Sequence, residues 1–340
     1  MFDCIKELWK KNIPKPENII SDENIYSICV LSNTHIVYGN HKGEIIWYNI
    51  TKKEELCKKK VGERGIIYIE AINSKKFITC SYNSVINIWK TDYDECFKID
   101  LKGSYCNHTD CVTKAVLLDQ KNMITSSLDK SIRIWNTKKQ KDLLIIDKNS
   151  FGIESFIKVK DEDLIISSDA HGMLNFWNFS LDEKKYSLEK ILMDCRTTNA
   201  NSMSELPNKK LLIGDYKVMK IIDIKSMQIE TVCMSDDPIN VILSIKDLII
   251  IGLKNGKIRL TDIKSLEQYN QIENKNKDIM QELNIKRNEK IRNNENFFQN
   301  SPIINIKTTK QYFILATNEE INFYEIEKYN KMNDRQYKVD

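Results

Sequence analysis

Residues 108–136 alternate short apolar runs with turn-forming residues, a pattern that predicts three antiparallel strands. An apolar run begins at Val112 and ends before the turn-prone residues 119–122. Two further strands, 123–127 and 131–135, then flank a tight corner. Short apolar runs separated by such turns are typical of consecutive β-strands. The stretch therefore predicts the repeating unit of an all-β protein.

The same pattern recurs along the chain in six further segments, each with an apolar strand, a turn and a second apolar strand. One register position, here called the slot, closes the third strand of every segment. The slot residues are Tyr48, Trp89, Trp135, Trp177, Ile222, Thr261 and Tyr324. They are separated by 41, 46, 42, 45, 39 and 63 residues. All but the last of these intervals are close to the period of about 40–45 residues that is typical of an array of β-sheet repeats.

Residues 108–136 resemble a WD repeat, the four-stranded blade of a β-propeller. Its signature joins a His near the start of the blade to a closing Trp-Asp, and this segment has His108, Trp135 and Asn136. The resemblance implies a buried hydrogen-bonded chain across the blade, made of His108, Ser127, Asp129 and Trp135. A buried carboxylate needs such partners, because leaving Asp129 unpaired would cost about 3–5 kcal/mol. We therefore interpret these four residues as structural rather than catalytic.

The resemblance implies a single all-β domain over 1–330, a seven-bladed β-propeller of four-stranded antiparallel blades closed by the N-terminal strand. The blades are expected at about 25–60, 65–101, 108–147, 152–193, 200–233, 238–272 and 301–326. The last blade has three strands of its own, and residues 4–10 are expected to supply the fourth. Such a strand would remove the open sheet edges at which propellers could aggregate. Residues 331–340 form a polar tail.

The long interval of 63 residues has its cause in 270–300, an insertion rich in Asn, Lys and Glu. We expect it between the outer strand of the sixth blade and the seventh blade. Within it, 278–291 could form a helix, since Ile279 and Leu283 stand at i, i+4 spacing. A disordered loop is the alternative, because so polar a segment buries little. A partner-binding element is a third interpretation.

Charge balance, cysteine spacing and the length of apolar runs each argue against a class of protein. Lys+Arg 52 against Asp+Glu 48 gives a net charge of +4, too balanced for the basic footprint of a nucleic-acid-binding domain. The nine cysteines show no Cys-x-x-Cys and no zinc-ligand spacing, which indicates reduced thiols in an intracellular protein. The longest apolar run, 248–253, has only the length of a strand. We expect a soluble protein, cytoplasmic rather than nuclear, that does not insert into membranes.

Candidate catalytic chemistry is sparse. The chain has four histidines, His35, His41, His108 and His171, and none is placed as the base of a nucleophile. It contains no Gly-x-Ser-x-Gly, no phosphate-binding Gly-x-x-x-x-Gly-Lys and no Gly-x-Gly-x-x-Gly. Asp169 and His171 could form a metal or acid–base pair, but a variant corner at the surface is the better interpretation. We expect no catalytic residue, no metal, no cofactor and no enzyme.

In the resemblance, the loops that lead into each blade and the corners between its second and third strands share one face around the central channel. That face is the usual partner surface. Aromatic and arginine side chains most often anchor an interface. The candidate partner-binding residues on these loops and corners are Arg64, Tyr82, Tyr105, Phe151, Arg196 and Tyr216.

The function expected is a non-enzymatic scaffold or adaptor, monomeric by itself, that binds protein partners or a multiprotein complex. One alternative is a substrate receptor of a ubiquitin ligase, since the run that begins at Trp135 and ends at Lys138 loosely resembles the Trp-Asp-x-Arg ending associated with ligase adaptors. A nucleic-acid-binding propeller would need basic residues gathered on one face. A propeller enzyme would need acids and histidines in the channel, and a channel lined only by apolar and amide groups would exclude it.

Overall fold

The computed structural model describes residues 17–20, 24–92, 98–169, 171–193, 195, 202–214, 216, 218–235, 237–246, 248–263, 295–297, 301–309 and 312–325. These residues form seven sheets, each of four strands. Every neighbouring pair of strands is antiparallel. The protein is a seven-bladed β-propeller, which confirms the predicted fold class.

The first three blades contain β2 (Ile25–Val30), β3 (His35–Asn40), β4 (Glu44–Asn49) and β5 (Glu54–Lys60); β6 (Ile66–Asn73), β7 (Lys76–Ser81), β8 (Ile86–Asp92) and β9 (Lys98–Tyr105); and β10 (Val112–Leu117), β11 (Asn122–Ser127), β12 (Ile132–Asn136) and β13 (Lys141–Ile146). The fourth blade contains β14 (Ile153–Lys158), β15 (Leu164–Asp169), β16 (Leu174–Ser180) and β17 (Lys185–Leu192). In each blade the first strand is at one edge of the sheet and the fourth strand is at the other.

The fifth blade contains β18 (Met203–Leu206), a 3-10 turn (Pro207–Lys209), β19 (Lys210–Gly214), β20 (Val218–Asp223) and β21 (Gln228–Met234). The sixth contains β22 (Ile239–Ile245), β23 (Leu248–Leu253), β24 (Lys257–Asp262) and β25 (Glu295–Phe297). The seventh contains β26 (Ile303–Thr308), β27 (Tyr312–Thr317) and β28 (Glu320–Glu325), completed by β1 (Glu17–Ile20). First strands of neighbouring blades contact one another, so they line the central channel.

The N-terminal strand β1 closes the ring, as predicted, but it is not the segment expected. Glu17 to Ile20 pair with Phe323 to Glu320 on β28 and fill the outer position of the seventh sheet. The expected donor, 4–10, lies outside the described residues. A strand of four residues is too short to show a period of two, which explains why the sequence did not identify it.

The insertion also lies elsewhere than expected. The outer strand of the sixth blade, β25, follows the insertion and pairs with Lys257 to Arg259 of β24. The long connection therefore separates the third and fourth strands of the sixth blade, and the predicted end of that blade at 272 was wrong. A strand of three residues carries no periodic signal. The proposed helix 278–291 lies outside the described residues.

The slot position proves to be a common register mark. In all seven sheets the slot residue pairs with the second residue of the second strand, as Trp135 does with Met123. In five sheets a β-bulge between the third and fourth strands stands directly before the slot, as between Ile134 and Trp135. A bulge bends and twists a strand at a defined point. The bulges therefore give these five blades a common bend although their sequences differ.

The apolar core lies between the blades. Seven clusters of buried side chains each join two neighbouring blades, and together they account for all seven junctions around the ring. The slot side chains face the preceding blade: Trp89 packs with Trp47 of the first blade, and Trp135 packs with Tyr105 of the second. Burial of apolar surface at each junction stabilises the ring, so every blade depends on its neighbours.

Removing residues 1–20 is expected to lower the free energy of unfolding by about 2–4 kcal/mol more than removing 1–16 does. The longer truncation removes β1 and its backbone hydrogen bonds to β28. It also leaves β28 as an unpaired edge that favours aggregation. Urea denaturation and light scattering measure the two effects. Equal stability of the two truncated proteins would show that β1 does not close the ring.

Candidate functional site

The third blade contains a buried chain of hydrogen bonds that ends at Asp129. The Trp135 Nε1 donates to Thr125 Oγ1 at 2.8 Å, and Thr125 Oγ1 lies 2.7 Å from His108 Nε2. His108 Nδ1 lies 2.7 Å from Asp129 Oδ2. The distances fit a chain in which each donor points towards the carboxylate. Three of the four predicted residues are therefore brought together as expected.

The prediction of Ser127 as the fourth member was wrong, because Thr125 occupies that place in the hydrogen-bonded chain. The Ser127 hydroxyl donates to the carbonyl of Asp110 at 3.0 Å and accepts from the backbone N–H of Asp129 at 3.0 Å. It supports the corner between β11 and β12 instead. Thr125 lies two residues before Ser127 on β11, on the same face of the sheet, where its hydroxyl accepts from the Trp135 indole.

A sequence signal identifies this hydroxyl. The indoles of Trp89, Trp135 and Trp177 each donate to a hydroxyl ten residues earlier, on Thr79, Thr125 and Ser167. The four blades without Trp in the slot have Tyr38, Leu212, Ile251 and Ile314 at the corresponding position. The threonine or serine therefore accompanies the tryptophan, because a buried indole N–H needs an acceptor.

Asp129 also accepts from the backbone N–H groups of Thr109 and Ser131, at 3.1 and 2.9 Å, and from the Ser131 hydroxyl at 2.6 Å. Burial alone would raise the pKa of the Asp129 carboxyl. The hydrogen bonds from His108 and Ser131 outweigh burial and hold that pKa far below its ordinary value. The hydrogen-bonded chain therefore ties the loop before the third blade to the corner between β11 and β12. This role is structural.

The loops leading into the blades and the corners between second and third strands share one face, as predicted; we call it the loop face. Within single blades, Tyr82 N–H donates to Gly65 at 3.1 Å, and Leu128 N–H donates to Cys111 at 2.9 Å. Between blades, Ile25 N–H donates to Asn318 at 2.7 Å. These corners are thus held against loops of their own blade or of the next blade, which places loops and corners on one surface at the channel mouth.

Two candidate residues, Arg64 and Tyr82, lie on neighbouring segments of the loop face, where the first and second blades join. Both are exposed, and Tyr82 keeps 47% of its surface. The Tyr82 ring packs edge-on against Tyr26 at 6.1 Å between centroids. A Cβ on Gly65 would meet the Tyr26 ring at 2.5 Å and His41 Cα at 3.2 Å, so Gly65 permits this close assembly. Neither Tyr26 nor His41 was predicted from the sequence to belong to the partner surface.

Another candidate, Phe151, lies at the junction of the third and fourth blades. Its ring stacks on that of His171 with centroids 3.8 Å apart and planes 18° apart. Asp169 does not pair with the His171 ring as the metal or acid–base alternative required. Its Oδ1 accepts from the backbone N–H groups of His171 and Met173, at 2.9 and 3.0 Å. The corner interpretation of Asp169 and His171 therefore agrees with the geometry.

Tyr105 is not a surface residue, so its selection as a partner-binding residue was wrong. It ends β9, is only 2% exposed, and packs edge-on against Trp135 at 5.4 Å. Its hydroxyl donates to the carbonyl of Thr137 at 2.8 Å. The side chain thus ties the second blade to the third. Tyr216 is 57% exposed at the corner of the fifth blade, and Arg196 lies outside the described residues.

Comparison with known proteins supplies no family. No protein-family model matches the chain, and no curated protein matches it. Among the described residues, no helix has the length and apolar character needed to cross a membrane. The same part of the chain has no group of three or more His, Cys, Asp or Glu side chains that could hold a metal ion. Function must therefore be inferred from the surface itself.

The channel carries charge, which bears on the enzyme alternative. Glu70, Lys114 and Lys307 lie on three first strands, β6, β10 and β26, that line it. The condition set for excluding an enzyme, a channel of apolar and amide groups alone, is therefore not met. Both ring nitrogens of His108 are engaged by Asp129 and Thr125 within the third blade.

Proposed function

We propose that the chain is a non-enzymatic, WD-repeat-like scaffold that binds protein partners through its loop face. The proposal is supported by where the exposed large apolar side chains lie. Among the described residues, the exposed aromatic ones are Tyr82, Phe151 and Tyr216, and all three are on the loop face. Exposed aromatic side chains are the residues most enriched at binding hot spots. This distribution is the observation that carries the proposal.

The exposed aliphatic side chains have a different location and a structural explanation. Leu101, Ile145, Leu188, Ile191 and Ile229 lie on fourth strands, and Met193 directly follows one. Leu101, Leu188 and Ile229 pair directly with the slot residues Trp89, Trp177 and Ile222. They cover the slot from the outer rim of the blade. These three residues therefore need no partner to account for their exposure.

The junction of the first two blades is the best candidate for the centre of the interface. Arg64 lies on the loop that enters the second blade and Tyr82 lies at the corner of that blade, and the hydrogen bond from Tyr82 to Gly65 holds the two segments together. An arginine beside a pair of tyrosines offers hydrogen-bond donors and a rigid apolar surface together. Such an arrangement binds protein side chains and requires no chemistry of the scaffold.

Arg64→Ala is expected to leave the melting temperature unchanged and to weaken partner binding at least tenfold, a loss of about 1.4 kcal/mol or more. Arg64 is exposed, so its removal affects no buried contact. Partners are recovered by affinity purification with the wild-type protein, purified, and titrated against the wild type and the variant. Tyr82→Ala, with a stability measurement beside it, tests the second anchor.

Leu101→Ala is the control matched to Tyr82→Ala. Leu101 is an apolar residue of the rim that is about as exposed as Tyr82. Loss of binding in the rim variant with retention in the Arg64 variant would overturn the proposal. Recovery of a ligase adaptor as the titrated partner would specify the proposal as a ubiquitin-ligase receptor. Binding to nucleic acid that weakens steeply with salt would favour the nucleic-acid alternative instead.

A further inference from the structure

The outer strand of the fourth blade, β17, is a long open edge of its sheet. It stands last in the strand order of that sheet, and within the described part of the chain it pairs on one side only, with β16. It has eight residues, whereas β1, the outer strand of the seventh blade, has four. A long exposed edge strand is a surface to which another strand can add.

Three exposed apolar side chains follow one another along this edge. Leu188, Ile191 and Met193 keep 42%, 44% and 58% of their surface. The β-bulge in β17 skips Glu189, so Leu188 and Ile191 fall on the same face of the sheet although they are three residues apart. Leu188 covers the slot, whereas Ile191 pairs with Asn175 instead. Covering the slot therefore does not explain the exposure of Ile191 and Met193.

The backbone groups of Leu188 and Ile191 point away from the sheet. Phe179 on β16 donates its N–H to the carbonyl of Asp163 at 3.0 Å, so its backbone groups face the β15 side. The residues opposite Leu188 and Ile191 stand two and four positions before Phe179, and therefore face the same side. Leu188 and Ile191 thus form non-hydrogen-bonded pairs with β16 and direct their own N–H and C=O groups outward.

The stretch from Leu188 to Ile191 complements itself when two copies run in opposite directions. Antiparallel pairing of Leu188 with Ile191 of a second copy places Glu189 of each chain opposite Lys190 of the other. Two apolar pairs then flank two pairs of opposite charge, and both kinds of cross-strand pair are favourable. The register also joins outward-facing backbone groups to one another, as an antiparallel ladder requires.

Other outer strands lack this combination. β5 ends in three consecutive lysines, 58–60, which would repel a second copy of the same strand. Among the described side chains, β9, β13 and β21 each present a single exposed large apolar residue, Leu101, Ile145 and Ile229. A single residue cannot form the two apolar pairs that a two-fold axis generates. The pattern of β17 therefore matches a second copy of β17 itself.

We propose that β17 is a dimerisation strand, along which two copies of this chain pair antiparallel about a two-fold axis. The pairing joins two four-stranded sheets into one continuous sheet. Because the axis uses the open edge of both copies, assembly stops at the dimer. The paired strands run in opposite directions, so the two loop faces open to opposite sides. This interface lies on the rim and does not depend on what the loop face binds.

The interface is small, so we expect the dimer to depend on concentration. Pairing of one strand from each chain falls at the weak end of protein interfaces, and a dissociation constant on the order of 10 µM is expected. Sedimentation velocity of the full chain from about 1 to 200 µM measures the equilibrium. The sedimentation coefficient should rise from that of a monomer to that of a dimer and no further.

Ile191→Lys is expected to weaken dimerisation at least tenfold, because it places a charge opposite Leu188 of the second copy. Leu101→Lys is the matched control, since it makes the same change at an exposed residue of β9, an outer strand of equal length. The control should dimerise as the wild type does. Melting curves check that both variants fold, as the exposure of both residues predicts. Equal weakening in the two variants overturns the proposal.

Exchanging the charges tests the register. Glu189→Lys and Lys190→Glu should each weaken dimerisation severalfold, because each variant places like charges opposite one another. The double variant restores opposite charges and should recover the wild-type affinity. A double variant as weak as the single ones overturns the self-complementary register. Sedimentation of the wild type as a monomer at every concentration overturns the dimer itself, and would agree with the expectation from the sequence.

Discussion

Replacing Asp129 by Ala is expected to lower the free energy of unfolding by about 3–5 kcal/mol. The carboxylate pairs with His108 at 2.7 Å and accepts further hydrogen bonds from Thr109 and Ser131. The alanine variant leaves His108 Nδ1 and two backbone N–H groups without their acceptor. Unsatisfied buried donors are costly, since water cannot replace the lost partner. Urea denaturation of the two proteins measures the difference.

Asp182→Ala is the matched control, since Asp182 is exposed in the turn between β16 and β17. Its stability should stay within about 0.5 kcal/mol of the wild type. Equal losses in the two variants would show that the effect of Asp129 has nothing to do with its hydrogen bonds. Asp129→Asn keeps the shape but loses the charge, and should fall between the two.

Asp129 also makes the stability depend on pH in a defined direction. Hydrogen bonds hold its folded-state pKa far below the ordinary value of 3.8, against the opposing effect of burial. Its contribution is therefore fully present above about pH 4, where the unfolded chain is also ionised, and is lost as the pH falls towards the folded-state pKa. Asp129→Asn should lack this part of the acid dependence. An unchanged acid dependence in that variant would contradict the assignment.

Replacing Trp135 by Ala is expected to destabilise the protein by about 3–5 kcal/mol. The indole is 1% exposed, packs edge-on against Tyr105 at 5.4 Å and donates to Thr125 at 2.8 Å. Its removal opens a cavity at the junction of the second and third blades. Because this junction joins two blades, thermal unfolding should remain cooperative but shift to lower temperature. Differential scanning calorimetry measures both properties.

Trp135→Phe separates packing from hydrogen bonding. The phenyl ring keeps most of the contact with Tyr105 but cannot donate to Thr125, whose hydroxyl still reaches His108. A loss of about 1–2 kcal/mol is expected, well below that of the alanine variant. A loss as large as that of Trp135→Ala would mean that the hydrogen bond, rather than the cavity, controls stability. Thr125→Val is expected to destabilise more than Ser127→Ala, since only Thr125 joins His108 to Trp135.

The repeat pattern determined the fold. Slot residues at nearly constant spacing predicted seven similar sheets, and each of them pairs with the second residue of a second strand. Strand periodicity and turn chemistry are local, so a single blade can be identified from its own residues. The joint role of His108, Asp129 and Trp135 was predicted from the resemblance to a WD repeat, whose motif is contained within one blade.

Other features depended on the tertiary structure, because they join residues that the sequence keeps far apart. The choice of Glu17–Ile20 as the closing strand requires β28, and the burial of Tyr105 requires the third blade beside it. Glu70 and Lys307 meet only because the ring brings the second and seventh blades to either side of the first. Periodicity says which residues form strands, whereas contacts between blades follow from closing the ring.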